Sequence, residues 1–255
     1  MATTAVSGRE TSGARQPAIN HDVAATLAGA EYDRFLETLR GLGRDDWSQP
    51  TDCPGWDVHD VTGHVLGMAE LAASLLEQRR QMRAAARTRG SGIDALTAVQ
   101  VAKHHDDLPD TLVERFADVS PKAARSRRRT PSFIRRRPMS APQQVGKSEE
   151  IWTIGYLLDV ILTRDTWMHR IDVCRAVGAE PRLTAAHDAV LVADVVAEWA
   201  ARLGSPHALT LTGPAGGTWS TGTGGPELRM DAVEFCRRLS GRGDVGGVEG
   251  ILVPF

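Results

Sequence analysis

The sequence predicts a mainly α protein, with a helical bundle over residues 20–180 and a small α+β unit over residues 181–255. Apolar residues recur at spacings of three and four over most of the chain up to Leu203, the mark of amphipathic helices. Capping and breaking residues divide that pattern into pieces of ordinary helical length. Beyond Leu203 the composition shifts to Gly, Thr and Pro, with short β-prone pieces between them.

The chain has 255 residues, enough for one large domain or two modest ones. Its 42% hydrophobic and 24% charged residues are ordinary for a soluble globular protein. A net charge of −2 argues against nucleic acid or membrane as the main partner. No apolar run approaches the roughly 20 residues that span a bilayer. Met1 to Pro17 is polar and rich in small residues and lacks a secretory apolar region. Residues 1–19 are therefore expected to be a disordered leader on a cytoplasmic protein. Cys53, Cys174 and Cys236 are too few and too far apart for a disulfide framework or a CxxC metal clip.

The first helix is expected from His21 to Gly43, capped by Asn20 or Asp22, with Tyr32, Phe35, Leu39 and Leu42 on its apolar face. A loop follows, Arg44 to Gly55, ending in the Pro54-Gly55 turn. Asp57 opens the second helix, with Asp60 completing a near capping box. Its stripe is Val58, Val61, Val65, Met68, Ala72 and Leu75, and the helix is expected to reach Arg89. His64 points to the side of that stripe. Further helices are expected over residues 93–105 and 109–128. Adjacent His104 and His105 point in different directions and read as surface residues. The run Lys122–Arg137 is dense in Lys and Arg and reads as a solvated helix end and loop. A long helix is expected from Glu149 to Val177, ended by Gly178 in the C′ position. Thr184 is expected to cap the next, to Leu203, with Val190, Val192, Val195, Val196 and Trp199 on its apolar side. In the last unit, strands are expected at Ala208–Thr212, Thr218–Ser220 and Val248–Val253. Asp231 is expected to cap a helix from Ala232 to Ser240.

The helix of residues 149–177 carries the chemistry. Asp165 and His169 are four apart and share one face, which Leu158, Ile161, Leu162 and Val173 make apolar. A carboxylate and an imidazole on a buried stripe need a partner charge or a metal. His64 aims into the same bundle from another helix. Two histidines, one carboxylate and an open position make the pattern of a catalytic divalent metal site. A buried Asp–His ion pair beside an unrelated core histidine would give the same spacing.

Pro54-Gly55-Trp56, followed by Asp57-Val58-His59-Asp60-Val61-Thr62-Gly63-His64, resembles the opening signature of the mycothiol-dependent maleylpyruvate isomerase family, within the wider DinB/YfiT-like group. Trp167-Met168-His169-Arg170-Ile171-Asp172 with Ala176-Val177-Gly178 is similar to its second signature. Gly217-Thr218-Trp219 and Leu239-Ser240-Gly241-Arg242 are similar to its C-terminal domain. The resemblance implies a DinB-like four-helix bundle and a small α+β domain, with a divalent metal, most often zinc, on His64, Asp165 and His169. Asp165 stands where better-known members have glutamate. It also implies an enzyme that uses mycothiol as cosubstrate, a thiol S-transferase or cis–trans isomerase acting on a small electrophile. Its rivals are a metal-dependent hydrolase and a non-catalytic ligand-binding bundle. An anionic substrate needs a cation, and Arg242 is the candidate catalytic residue, reaching from the small domain. Asp172 reads as a hydrogen-bond partner of a ligand histidine or a local partner of Arg170 or Arg175, and Trp56 as packing at the helix start. A small molecule and a low-molecular-weight thiol are the expected partners, and a homodimer is compatible with the sequence.

Overall fold

The computed structural model describes residues 13–90, 92–244, 248 and 250–255. Helix α1 runs His21–Arg40, its first turn capped by the Asn20 side chain, which accepts from the Asp22 amide. It buries Leu27, Tyr32, Phe35, Leu36 and Leu39. A short 3-10 turn, Arg44–Ser48, lies in the stretch read as loop. Asp57 and Asp60 form the expected capping box at the start of α2, Val58–Ala73. The helix does not reach Arg89. Ser74 is extended, and its hydroxyl accepts from the Glu77 amide to start α3, Leu75–Ala85. The apolar period alone hid this break, because a serine inside a periodic run also serves as an N-cap. Helix α4 spans Gly92–His104, and α5 spans Pro109–Arg129 with Pro109 in the favoured first turn. A single turn, α6, covers Ser132–Arg135.

The expected start of the long helix at Glu149 is corrected. Strands β1, Gln143–Val145, and β2, Ser148–Glu150, pair antiparallel, so Glu149 and Glu150 lie in a hairpin. The helix begins where Thr153 caps it by accepting from the Tyr156 amide. It runs through α7, Ile154–Tyr156, a π turn, Leu157–Ile161, and α8, Leu162–Ala176, and Gly178 leaves it at φ +68°. The π turn inserts an extra residue and rotates the upstream face. Val160 and Ile161 therefore pack with Trp152 and Tyr156, whereas Leu162 and Val173 face the bundle core. Ile161 is not on the Asp165 stripe.

Helix α9, Asp188–Leu203, starts four residues after Thr184, whose carbonyl and amide close a turn with Asp188. Strands β3, His207–Thr212, β4, Gly217–Thr221, and β5, Glu227–Asp231, form a sheet ordered β4-β3-β5, antiparallel and then parallel. The polar β5 escaped the sequence reading. Among the described residues the expected last strand does not form: Val248 and Gly250 lie in turns, Gly250 at φ +65°, and the Val253 amide donates to the Leu239 carbonyl. Helix α10, Ala232–Leu239, is capped by Asp231 as expected.

Helices α1, α5, α2 and α8 pack as a closed ring, each touching the next, while α3 and α4 lie outside on α2. Phe35, Val61, Val65, Leu112, Phe116, Leu162 and Val173 fill the bundle. The opposite face of α8, with Trp167, Met168 and Ile171, belongs to a second core with Val192, Trp199, Leu209 and Phe235. Buried ion pairs reinforce that junction. Arg170 of α8 reaches Glu31 at 2.6 Å and Asp188 at 2.8 Å, and Arg164 reaches Asp194 at 2.7 Å and Glu198 at 2.8 Å. Part of the expected leader is built into the fold, since the backbone of Arg15 bonds to Ile151 and Thr153. Residues 1–12 of it lie outside the described residues. The basic run is mostly exposed, as expected, but Arg127 is buried and bonds to Tyr32 and Thr163, and half-buried Arg135 pairs with buried Asp159. Among the described residues no helix is long and apolar enough to cross a membrane.

Candidate metal centre

His64 sits at mid-length on α2, facing α8 across the bundle. Asp165 and His169 sit one turn apart on α8, within its regular part, so the π turn leaves their spacing intact. The three residues converge. Asp165 Oδ1 lies 3.3 Å from His64 Nε2 and 3.4 Å from His169 Nε2, and the imidazole rings are 5.1 Å apart. The other carboxylate oxygen, Asp165 Oδ2, is buried without a hydrogen-bond partner. Both histidines use their far nitrogens elsewhere. His64 Nδ1 faces Gln100 Oε1 at 2.8 Å, and His169 Nδ1 donates to Asp172 Oδ2 at 3.0 Å.

The charge balance is tight. Burial alone would raise the Asp165 carboxyl, but the imidazoles of His64 and His169 hold it far below the usual range. Burial would lower His169, and Asp165, with Asp172 and Cys53 behind it, pushes it well above the usual histidine value. Without another cation the cluster must keep a proton between its carboxylate and imidazoles.

A divalent ion fits this donor set. Two donors about 2.0–2.1 Å from a tetrahedral ion stand about 3.3 Å apart. The spacings of Asp165 Oδ1 from the two Nε2 atoms match that edge. The unpartnered Oδ2 is a further buried acceptor needing a positive partner. Each histidine is also oriented by a hydrogen bond on its far nitrogen, the usual arrangement behind metal-bound imidazoles.

Around this triad stand Trp56, read from the sequence as packing alone, Cys53, which that reading missed, and Asp172 and Arg242, which it had singled out. The Pro54-Gly55 turn, with Gly55 at φ +82°, carries Trp56 over both histidines, ring centroids 5.4 Å from His64 and 6.2 Å from His169. Trp56 thus walls the centre as well as packing the helix start. Cys53, from the same loop, puts Sγ 3.8 Å from His169 Nδ1 and 3.5 Å from Asp172 Oδ2. Arg242 reaches the centre from the end of α10. Its Nε lies 2.9 Å from Asp172 Oδ1, and its Nη2 lies 2.7 Å from Asp172 Oδ2 and 3.5 Å from Cys53 Sγ. Asp172 is therefore the partner of His169 and Arg242. Arg170 pairs instead with Glu31 and Asp188, and Arg175 with Asp52.

His104 is corrected from surface to core: it is fully buried between Glu70 and Asp107. Its cluster, with Lys103 bonded to Glu70 and Glu77, braces α4 against α2 and α3. A second buried group, Glu31, His187 and Asp188, has donors close enough to share an ion. Arg170 already neutralises Glu31 and Asp188, so it is an ion-pair network.

Among curated proteins none matches the sequence. Two solved structures match the fold. A crystal structure of the mycothiol-dependent maleylpyruvate isomerase aligns with a TM-score of 0.56 at 16% identity, over 88% of this chain and 90% of that one. A histidine-to-alanine mutant of the mycothiol-dependent maleylpyruvate isomerase aligns with a TM-score of 0.53 at 16% identity, over 89% and 92%. Residues 28–174, which hold α2, most of α8 and all three residues of the triad, match the sequence profile of the mycothiol maleylpyruvate isomerase N-terminal domain, and the chain belongs to that family.

Proposed function

We propose that the protein is a metal-dependent, mycothiol-using enzyme that acts on a small anionic electrophile, as an isomerase or an S-transferase. One observation carries the metal part: an aspartate oxygen and two imidazole Nε2 atoms converge on one point while Asp165 Oδ2 stays buried and unpaired. Family membership supports the thiol part. His64, Asp165 and His169 would hold the ion, zinc in this reading, with at least one position open. When bound, such an ion lowers the pKa of a coordinated thiol, so that a thiolate nucleophile exists at neutral pH.

The chain's own residues supply the rest. Trp56 shields one side of the centre from water. Arg242 is tied to Asp172, Ser240 and Cys53, and its second Nη1 N–H would serve an anionic group of the substrate. Guanidinium is suited to a carboxylate or to an oxygen on which charge develops. The thiolate sulfur adds to one carbon of a double bond conjugated with a carbonyl, and the electron pair moves to the carbonyl oxygen. Rotation about the resulting single bond and return of the pair expel the same thiolate and leave the trans isomer. If water instead protonates that enolate at the carbon next to the carbonyl, the sulfur stays and the product is an S-adduct. Asp172 holds His169 and Arg242 in register through either course.

The test is turnover of conjugated unsaturated acids by zinc-loaded protein with and without mycothiol. Isomer or adduct formed only with mycothiol is expected. Hydrolysis without thiol would replace this reading with that of a metal hydrolase. His64→Ala should lose the metal, measured by elemental analysis, and unchanged metal content would refute the ligand set.

A further inference from the structure

Behind His64 lies a chain of side-chain amides that the reaction does not use. Gln100 of α4 is fully buried and its Oε1 faces His64 Nδ1 at 2.8 Å. Its Nε2 lies 3.0 Å from Gln81 Oε1 and 2.9 Å from the Met68 sulfur. Gln81, buried on α3, has its Nε2 3.0 Å from the Gly67 carbonyl and 3.3 Å from Glu77 Oε1. The direction of every hydrogen bond in this row follows from its far end. A backbone carbonyl and a carboxylate only accept, so the Gln81 amide must present NH2 to them and its oxygen to Gln100. Gln100 must then present its NH2 to Gln81 and its oxygen to His64. An oxygen at that place requires a proton on His64 Nδ1.

The backbone is shaped for this row. A Cβ at Gly67 would stand 2.6 Å from Gln100 Cγ, so only glycine there lets α4 bring Gln100 this close to α2.

We propose that Gln100, anchored by Gln81 on the Gly67 carbonyl, is a positioning residue that holds the proton of His64 on Nδ1 and so reserves Nε2 as a metal ligand. The inference rests on the metal reading of the triad and adds to it residues of α3 and α4, two helices outside the four-helix ring. An amide does this without adding charge, whereas Asp172 does the corresponding service for His169 with a carboxylate. The two histidines therefore differ in basicity as ligands.

The test uses the full chain loaded with zinc and labelled with 15N in its imidazoles. The wild type should show a slowly exchanging His64 Nδ1 proton. Gln100→Leu should lose that signal and bind zinc roughly 10–100-fold more weakly in competition with a chromophoric chelator. Gln100→Glu combined with Gln81→Met keeps an acceptor toward Nδ1 with no oxygen facing the new carboxylate, and should restore most of the affinity and the proton signal. Gln81→Met, which only frees the Gln100 amide to turn, should show a smaller loss in the same direction. Gln100→Leu with wild-type affinity and a retained Nδ1 proton would overturn the proposal. So would equal losses in Gln100→Leu and in the Gln100→Glu, Gln81→Met double variant, which would mark a packing role. A wild-type chain that takes up no zinc would refute the metal reading itself, an outcome distinct from either.

Discussion

Asp172 does more at the centre than its place one turn beyond His169 suggests. Burial would raise its carboxyl, and the His169 hydrogen bond followed by the Arg242 guanidinium brings it below the usual range. One ionised carboxylate thus orients His169 and anchors a cation from the segment after α10. Asp172→Asn keeps the shape and removes the charge. It should weaken zinc binding roughly tenfold or more and raise the KM for an anionic substrate, checked by chelator competition and steady-state kinetics. Asp165 could be assessed only in part from sequence. Its spacing from His169 was legible as a shared face. That a side chain one methylene shorter than glutamate still reaches both imidazoles depends on how closely α2 and α8 pack. Arg242 was legible as a cation after the last helix, but its hold on Asp172 was not, because 70 residues separate the two.

At the level of elements, the close approach of α2 and α4 decides the geometry around His64. Gly63 and Gly67 lie one turn apart on α2, and a Cβ at Gly63 would already stand 3.2 Å from His104 Cβ. Gly67→Ala is expected to gain up to about 1 kcal/mol of helix propensity. Overpacking against Gln100 should cost about 1–3 kcal/mol and outweigh it. Thermal unfolding should therefore show net destabilisation, and zinc affinity should fall as Gln100 is displaced. Neither the glycine pair nor Gln100 stood out in the sequence, because the need for a small residue on α2 shows only once α4 is packed against it. The π turn before α8 was also hidden. It alters no residue type and shows itself only in where Val160 and Ile161 pack.

For the molecule as a whole, α8 is the shared wall of two cores, and buried charges hold the surrounding parts to it. Arg164→Met would leave half-buried Asp194 without its cation and buried Glu198, beside Tyr156, with Arg202 as its main one. Removing one partner of such a group typically costs about 3–5 kcal/mol, and chemical denaturation should show a loss of that order. Glu150 joins β2 to the segment before α1 and to α9 through Arg15 and Arg202. Burial would raise its pKa, but the two guanidiniums lower it from the usual 4.5 to about 2. A carboxyl depressed in the folded state stabilises the fold fully above its unfolded pKa. That contribution is lost as pH falls through the folded value. Stability should thus decline between pH 4.5 and about 2. Glu150→Gln should flatten that part of the curve and cost about 2 kcal/mol at neutral pH, as read by urea unfolding across the pH range.

Local physics made much of this protein readable from its residues. Asn20, Asp57, Asp231 and Gly178 mark helix ends because a side-chain oxygen or a left-handed residue acts within a single turn. The four-residue spacing of Asp165 and His169 needs only one regular helix. Contacts between distant segments decided the remainder. Glu149 and Glu150 are strand because Gln143 and Gln144 pair with them, although their own pattern suits a helix. His104 is core because Glu70 and Asp107 meet it there. Cys53, Gln100 and Arg242 gather around two histidines because four helices and a loop close on one point. Such convergence is a property of packing, since no periodicity within one segment records what lies across from it.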